Sequence, residues 1–105
     1  MANFQGQIVL VTGGSRGIGR AIALALGQGG AHVVINYKGN QAAAEETLSL
    51  LQAAGGHGEL SAFDIADEAQ VEAAVKSILD AHKNVDILVN NAGVTSDSLL
   101  MRMKS

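Results

Sequence analysis

Ile8-Val9-Leu10-Val11-Thr12-Gly13-Gly14-Ser15-Arg16-Gly17-Ile18-Gly19-Arg20-Ala21-Ile22-Ala23-Leu24-Ala25-Leu26 is the stretch on which the fold turns. Its first four residues form a continuous apolar run rich in β-branching, the pattern of a strand buried on both faces. Thr12 to Gly19 is a glycine-rich turn, and Arg20 to Leu26 is strongly helix-forming. Ile18, Ile22, Ala25 and Leu26 fall on one helical face and are expected to face the core, with Gly29-Gly30 as the stop signal. Strand, tight turn and helix in direct succession open a βαβ unit.

The same alternation continues downstream. His32-Val33-Val34-Ile35-Asn36 reads as a second strand. Asn40 is an N-cap for a helix from Gln41 to Ala54, with Ala44, Leu48, Leu51 and Ala54 as its apolar face and Gly55-Gly56 as its end. Glu59 to Ile65 alternates as a third strand. Asp67-Glu68-Ala69-Gln70 has the form of a capping box, and Val71, Ala74, Val75, Ile78 and Leu79 form the core stripe of a third helix. Val85 to Asn90 is a fourth strand, and Ser98 to Lys104 begins another helix. The order predicts an α/β fold, Rossmann-like or flavodoxin-like: an open parallel sheet of four strands with helices on both faces. With no linker or repeat, residues 1–105 are read as one domain.

Composition narrows the function. Lys+Arg 7 against Asp+Glu 10 leaves a net charge of -3, with no basic surplus for a nucleic-acid backbone. Phe4, Tyr37 and Phe63 are the only aromatics, too few for a base-stacking platform. Zero cysteines exclude thiol catalysis and thiolate metal sites and fit a reducing cytoplasm. No secretory signal is visible, and no apolar run approaches the ~20 residues that span a bilayer. Nucleic acid and membrane are therefore not expected partners. His32, His57 and His82 lie in separate segments without metal-ligand spacing and read as ordinary surface histidines, so no metal is expected. Glu45-Glu46 reads as a solvated helix face.

The turn carries the chemistry. A diphosphate at a helix N-terminus needs free backbone N–H groups and no Cβ in its way. Glycines at 13, 17 and 19 suit the tight turn, the ligand's approach and close helix–strand packing respectively. A triphosphate-binding loop is the competitor, but the register Gly14 to Gly19 continues as Arg20-Ala21 and lacks both the lysine and the hydroxyl. The turn therefore points to a dinucleotide.

The spacing Gly-x-x-x-Gly-x-Gly, with Asn90-Asn91-Ala92-Gly93 ending the fourth strand, resembles the short-chain dehydrogenase/reductase family. Thr12 to Ala23 and Gly93 to Lys104 look like the corresponding segments of its 3-oxoacyl-[acyl-carrier-protein] reductases, enzymes of fatty acid biosynthesis. The resemblance implies a cofactor site drawn from Gly13, Ser15, Arg16, Gly17, Ile18 and Gly19, then Tyr37 and Lys38 after the second strand. Asp64 would bond the adenine amino group with Ile65 beside the ring, and Asn91, Ala92 and Gly93 would lie by the adenosine ribose. An NAD enzyme places an acid at the end of the second strand. Here that stretch is Asn36-Tyr37-Lys38, and Arg16 and Lys38 suit a 2′-phosphate, so NADP is expected over NAD. The plainer reading of Lys38 is a solvated loop lysine.

The family's chemistry uses a tyrosine with a lysine four residues on, a serine and an asparagine. The only tyrosine is Tyr37, followed at 41 by Gln41, and Ser96, Ser98 and Ser105 lie too early to match the serine. The expectation is an amino-terminal reductase half with no catalytic residue, weak in cofactor binding and inactive alone. In this reading the strand order begins 3-2-1-4 and the fourth strand becomes an exposed edge, which favours a homodimer or higher homo-oligomer. The alternative is a non-enzymatic, self-assembling module that binds no cofactor.

Overall fold

Side chains of successive strand residues point to opposite faces, so the apolar strands of this chain need cover on both sides. The computed structural model describes residues 3–15 and 17–91. It contains β1 (Ile8–Thr12), α1 (Gly17–Gln28), β2 (His32–Tyr37), α2 (Gln41–Ala53), β3 (His57–Ala62), α3 (Glu68–His82) and β4 (Ile87–Asn90). The strands form a parallel sheet in the order β3-β2-β1-β4. That order selects the Rossmann-like form over the flavodoxin-like one.

Val9, Val11, Val33 and Ile35 point to the face covered by α1 and α2, where they meet Ala23 and Leu51. Leu10 and Val34 point to the other face and pack with Phe63 and with Val71, Val75 and Ile78 of α3. All the strand residues among these are fully buried. Parallel pairing sets Val9 beside Val33 and Ile87, and Leu10 beside Val34 and Leu88.

Helix α1 differs from expectation. Its buried positions are Gly19, Ala23 and Gly27, while Ile18 is 72% exposed and Ala25 is also exposed. A stripe of small residues lets the helix lie close to its neighbours, and a Cβ on Gly27 would collide with the Leu51 side chain of α2. The bulky Ile22 and Leu26 pack only at the margin of this contact. In α2 the Asn40 side chain caps Ala43 N–H as expected, Thr47 joins Ala44 and Leu51 on the buried face, and Ala54 is exposed as the C-cap.

Strand β3 begins two residues before the expected start and ends at Ala62. Its parallel partner β2 ends at Tyr37, whose carbonyl accepts the Phe63 N–H at 3.0 Å, and residues 63–66 turn away from the sheet. Asp67 caps α3 through Gln70 N–H (3.2 Å). The Gln70 amide does not return to the Asp67 backbone as a full capping box would. It donates to Asp67 Oδ2 (3.0 Å) and accepts the Asp64 N–H (2.9 Å), which ties the loop after β3 to the helix. Strand β4 begins at Ile87, because Asp86 is occupied before it: its carboxylate accepts the Ile8 N–H and its N–H donates to the Ile8 carbonyl, both at 2.8 Å. Among the described residues no helix is long and apolar enough to cross a membrane. The expected helix from Ser98 to Lys104 lies outside the described residues.

Candidate functional site

The carboxyl ends of β1 and β2 hold the glycine turn. Gly13 and Gly17 have φ of +64° and +62°, a conformation that side chains resist. Gly19 faces a different demand. A Cβ there would overlap the Gly13 carbonyl and the Asn91 side chain, so the first turn of α1 rests directly on the strand end. Around Gly17, by contrast, a Cβ would meet nothing within 4 Å. The backbone N–H groups of Gly17, Ile18 and Gly19 open the helix and have no acceptor within it.

Two networks fix the turn, and sequence reading missed both. Asn36, buried in β2, accepts Gly13 N–H at its Oδ1 (3.2 Å) and Gly14 N–H at its carbonyl (3.0 Å). Its Nδ2 donates to the Phe63 carbonyl (3.0 Å), so one side chain joins the ends of β1, β2 and β3. Arg20 donates to the Ser15 carbonyl (2.8 Å), to Thr47 Oγ1 (2.9 Å), and to Glu46 (2.6 Å), and the Thr47 hydroxyl also reaches the Ser15 carbonyl (2.9 Å). The only available signals were a polar residue ending an apolar strand and an arginine on an otherwise apolar helix. On the β4 side, Asn91 N–H donates to Thr12 Oγ1 (2.9 Å) and Asn91 Nδ2 to the Gly13 carbonyl (3.2 Å).

A cleft of about 440 Å³ opens beside the turn, with walls that include Gly13, Ser15, Asn36, Lys38, Phe63, Asp64 and Ile65. Tyr37 is not among its walls. Lys38 and Asp64, given separate roles from the sequence, face each other at 3.4 Å. Asp64 Oδ1 also accepts the Ala66 N–H at 2.9 Å. That N–H lowers the carboxyl's pKa most, slight desolvation opposes it, and Lys38 adds to the lowering, so the group lies below the usual carboxylate range. The structure thus brings Gly13, Ser15, Lys38, Asp64 and Ile65 to one cleft, with Gly17, Ile18 and Gly19 at the start of the helix beside it. Arg16, Ala92 and Gly93 lie outside the described residues.

A second convergence was not expected. His32 and His82, read as unrelated, both direct Nε2 at Glu59 Oε1, at 2.7 and 2.5 Å. Burial works to raise the Glu59 pKa, but the bonds from His32 and His82 outweigh it and hold the carboxyl below its ordinary value.

Sheet order, glycine turn and cleft define a Rossmann-type fold with its crevice at the strands' carboxyl ends. Residues 7–105 match the short chain dehydrogenase family, and the chain belongs to it. It is 43% identical over 104 residues to a 3-oxoacyl-[acyl-carrier-protein] reductase of Synechocystis sp., covering 99% of this chain and 42% of the relative. A Staphylococcus aureus protein of the same name is 45% identical over 95 residues, covering 90% and 39%. The chain therefore spans about two fifths of the length of these relatives. Among solved structures, a metagenomic short-chain oxidoreductase in complex with NADP superposes with a TM-score of 0.82 at 42% identity, over 87% of this chain and 41% of that one. A Burkholderia cenocepacia short chain dehydrogenase, also in complex with NADP, gives 0.80 at 36% identity, over 96% and 44%.

Proposed function

We propose that the chain forms the amino-terminal, NADP(H)-binding unit of a cytoplasmic reductase similar to the 3-oxoacyl-[acyl-carrier-protein] reductases of fatty acid biosynthesis. The observation that carries this reading is the open space at Gly17, at the head of α1 and beside a cleft that ends at Lys38. A dinucleotide fits such a place: the helix-opening N–H groups suit a diphosphate, and the missing Cβ leaves room for it. In this reading Gly13, Ser15, Gly17, Ile18 and Gly19 line the diphosphate, and the exposed Ile18 is a ligand contact rather than core. Lys38 and Arg16 receive the 2′-phosphate, Lys38 by exchanging the Asp64 carboxylate for it. Asp64 and Ile65 hold the adenine, Asn91, Ala92 and Gly93 flank the ribose, and Tyr37 buttresses Lys38 from the end of β2.

NADPH when bound supplies a hydride, and this chain's residues position it. The tyrosine–lysine pair of the family has no match among residues 1–105, so we expect no ketone reduction by this chain alone. The test is the ratio of NADPH to NADH affinity by fluorescence titration. A preference for NADPH that falls on Lys38→Ala supports the reading; equal affinity in both proteins refutes the 2′-phosphate assignment.

One observation favours a second reading. Among the described residues β4 pairs on one side only, with β1, and its outer edge is a surface on which a second copy would add. A homodimer in sedimentation that binds no NADPH would favour self-assembly over cofactor binding.

A further inference from the structure

The amino ends of β2 and β3 meet the last turn of α3 about 16 Å along β2 from the glycine turn. There His32, Glu59 and His82 bring two imidazole nitrogens and one carboxylate oxygen to within 4.8 Å of one another. We propose that these three side chains form a divalent transition-metal site, of a kind suited to Zn²⁺, at the pole of the sheet opposite the cleft.

Both Nε2 atoms aim at a single oxygen, 2.7 and 2.5 Å away, so the imidazole lone-pair directions converge on one point. An ordinary hydrogen-bonded latch needs only one such donor. Zinc–nitrogen and zinc–oxygen bonds of about 2.0–2.1 Å in a tetrahedron place neighbouring ligand atoms about 3.3 Å apart. The Glu59 carboxylate reaches that spacing by withdrawing less than about 1 Å, and the two imidazole nitrogens, at most 4.8 Å apart, by closing up to about 1.5 Å, with the cation taking the place of the two bridging protons. Two imidazoles and a carboxylate are a borderline donor set that suits zinc and not magnesium, which prefers oxygen.

The surroundings favour a cation. His82 stands in the last turn of α3, where the helix dipole is negative, and Glu59 adds a full negative charge. The supports are firm: the His32 N–H is bonded to the Gln7 carbonyl (2.9 Å), and His32 and Glu59 stand on paired strands. The three side chains remain 20–40% exposed, which leaves a fourth coordination position to water. Bound there, the metal staples α3 to β2 and β3, and the site is independent of the nucleotide reading.

The test is calorimetric titration of Zn²⁺ into the untagged, chelator-stripped chain near neutral pH, with Mg²⁺ as the comparison. Saturable uptake of one Zn²⁺ per chain is expected, with none of Mg²⁺ and a rise in Tm. Glu59→Gln keeps an acceptor for both histidines but removes the anionic ligand, and should weaken binding about tenfold or more with the fold intact by circular dichroism. His82→Gln should do the same, whereas His57→Gln, at the exposed residue opposite His32, should not. No saturable uptake at millimolar Zn²⁺ overturns the proposal, as does uptake that survives both Glu59→Gln and His82→Gln or that is lost in His57→Gln alone.

Discussion

The two ends of the sheet are built by different rules. At the carboxyl end, the turn is one continuous run of chain whose backbone groups are the points of attachment, with Gly19 resting on Gly13 and Asn36 accepting two successive N–H groups. At the amino end, His32, Glu59 and His82 come from three elements, and only folding brings them together. The first end is shaped by what is left out, a Cβ at 17 and 19; the second by what converges. A sheet with fixed parallel register holds both, because the strand that starts at His32 ends beside the cleft.

Damage to the shared scaffold should weaken both ends at once. Leu51, on the inner face of α2, is fully buried between that helix, α1 and the sheet, and Leu51→Ala should cost about 2–5 kcal/mol, read as a lower midpoint in urea with both poles weakened together. Gly19→Ala should separate the poles. Its Cβ is driven into the Gly13 carbonyl, at a cost of about 1–3 kcal/mol, and should abolish NADPH binding while Zn²⁺ uptake persists. Arg20→Ala should act more gently at the same end, costing about 0.5–1.5 kcal/mol because the Ser15 carbonyl loses its charged donor but keeps the Thr47 hydroxyl, with weaker NADPH binding by fluorescence. Asp64→Asn should show the smallest change. The carboxyl's pKa is lowered in the folded chain, so its stabilisation is complete above the unfolded aspartate value of about 3.9 and is lost as pH falls through the lower folded value. The variant should therefore show a slightly flatter acid limb in Tm against pH.

The fold was legible because its signals are local. Val9, Leu10 and Val11 make an unbroken apolar run, Asn40 and Asp67 stand at their caps, and the strand order followed from the family resemblance. The face of α1 was not legible: hydropathy ranks Ile18 above Gly19, whereas close packing of Gly19 on Gly13 and of Gly27 on Leu51 admits only glycine. The end of β3 was misread because Phe63 and Ile65 continue the alternation, while the Asn36 side chain and the Asp64–Ala66 turn close the strand. In the cleft, the glycines and Lys38 were legible as a motif. The Lys38–Asp64 pair was not, since 26 positions of chain separate residues that adjacent strand ends bring together. The same physics hid His32, Glu59 and His82, for which no spacing rule exists across a strand, a second strand and a helix.

A nucleotide seated at the glycine turn would disturb the amides around it, and NMR shifts on addition of NADPH read that residue by residue. Saturable shifts are expected at Ser15, Gly17, Ile18, Gly19, Asp64 and Ile65, with little change at His32, Glu59 and His82. An unchanged spectrum at millimolar NADPH, or shifts gathered at the amino ends of β2 and β3, would contradict that seating.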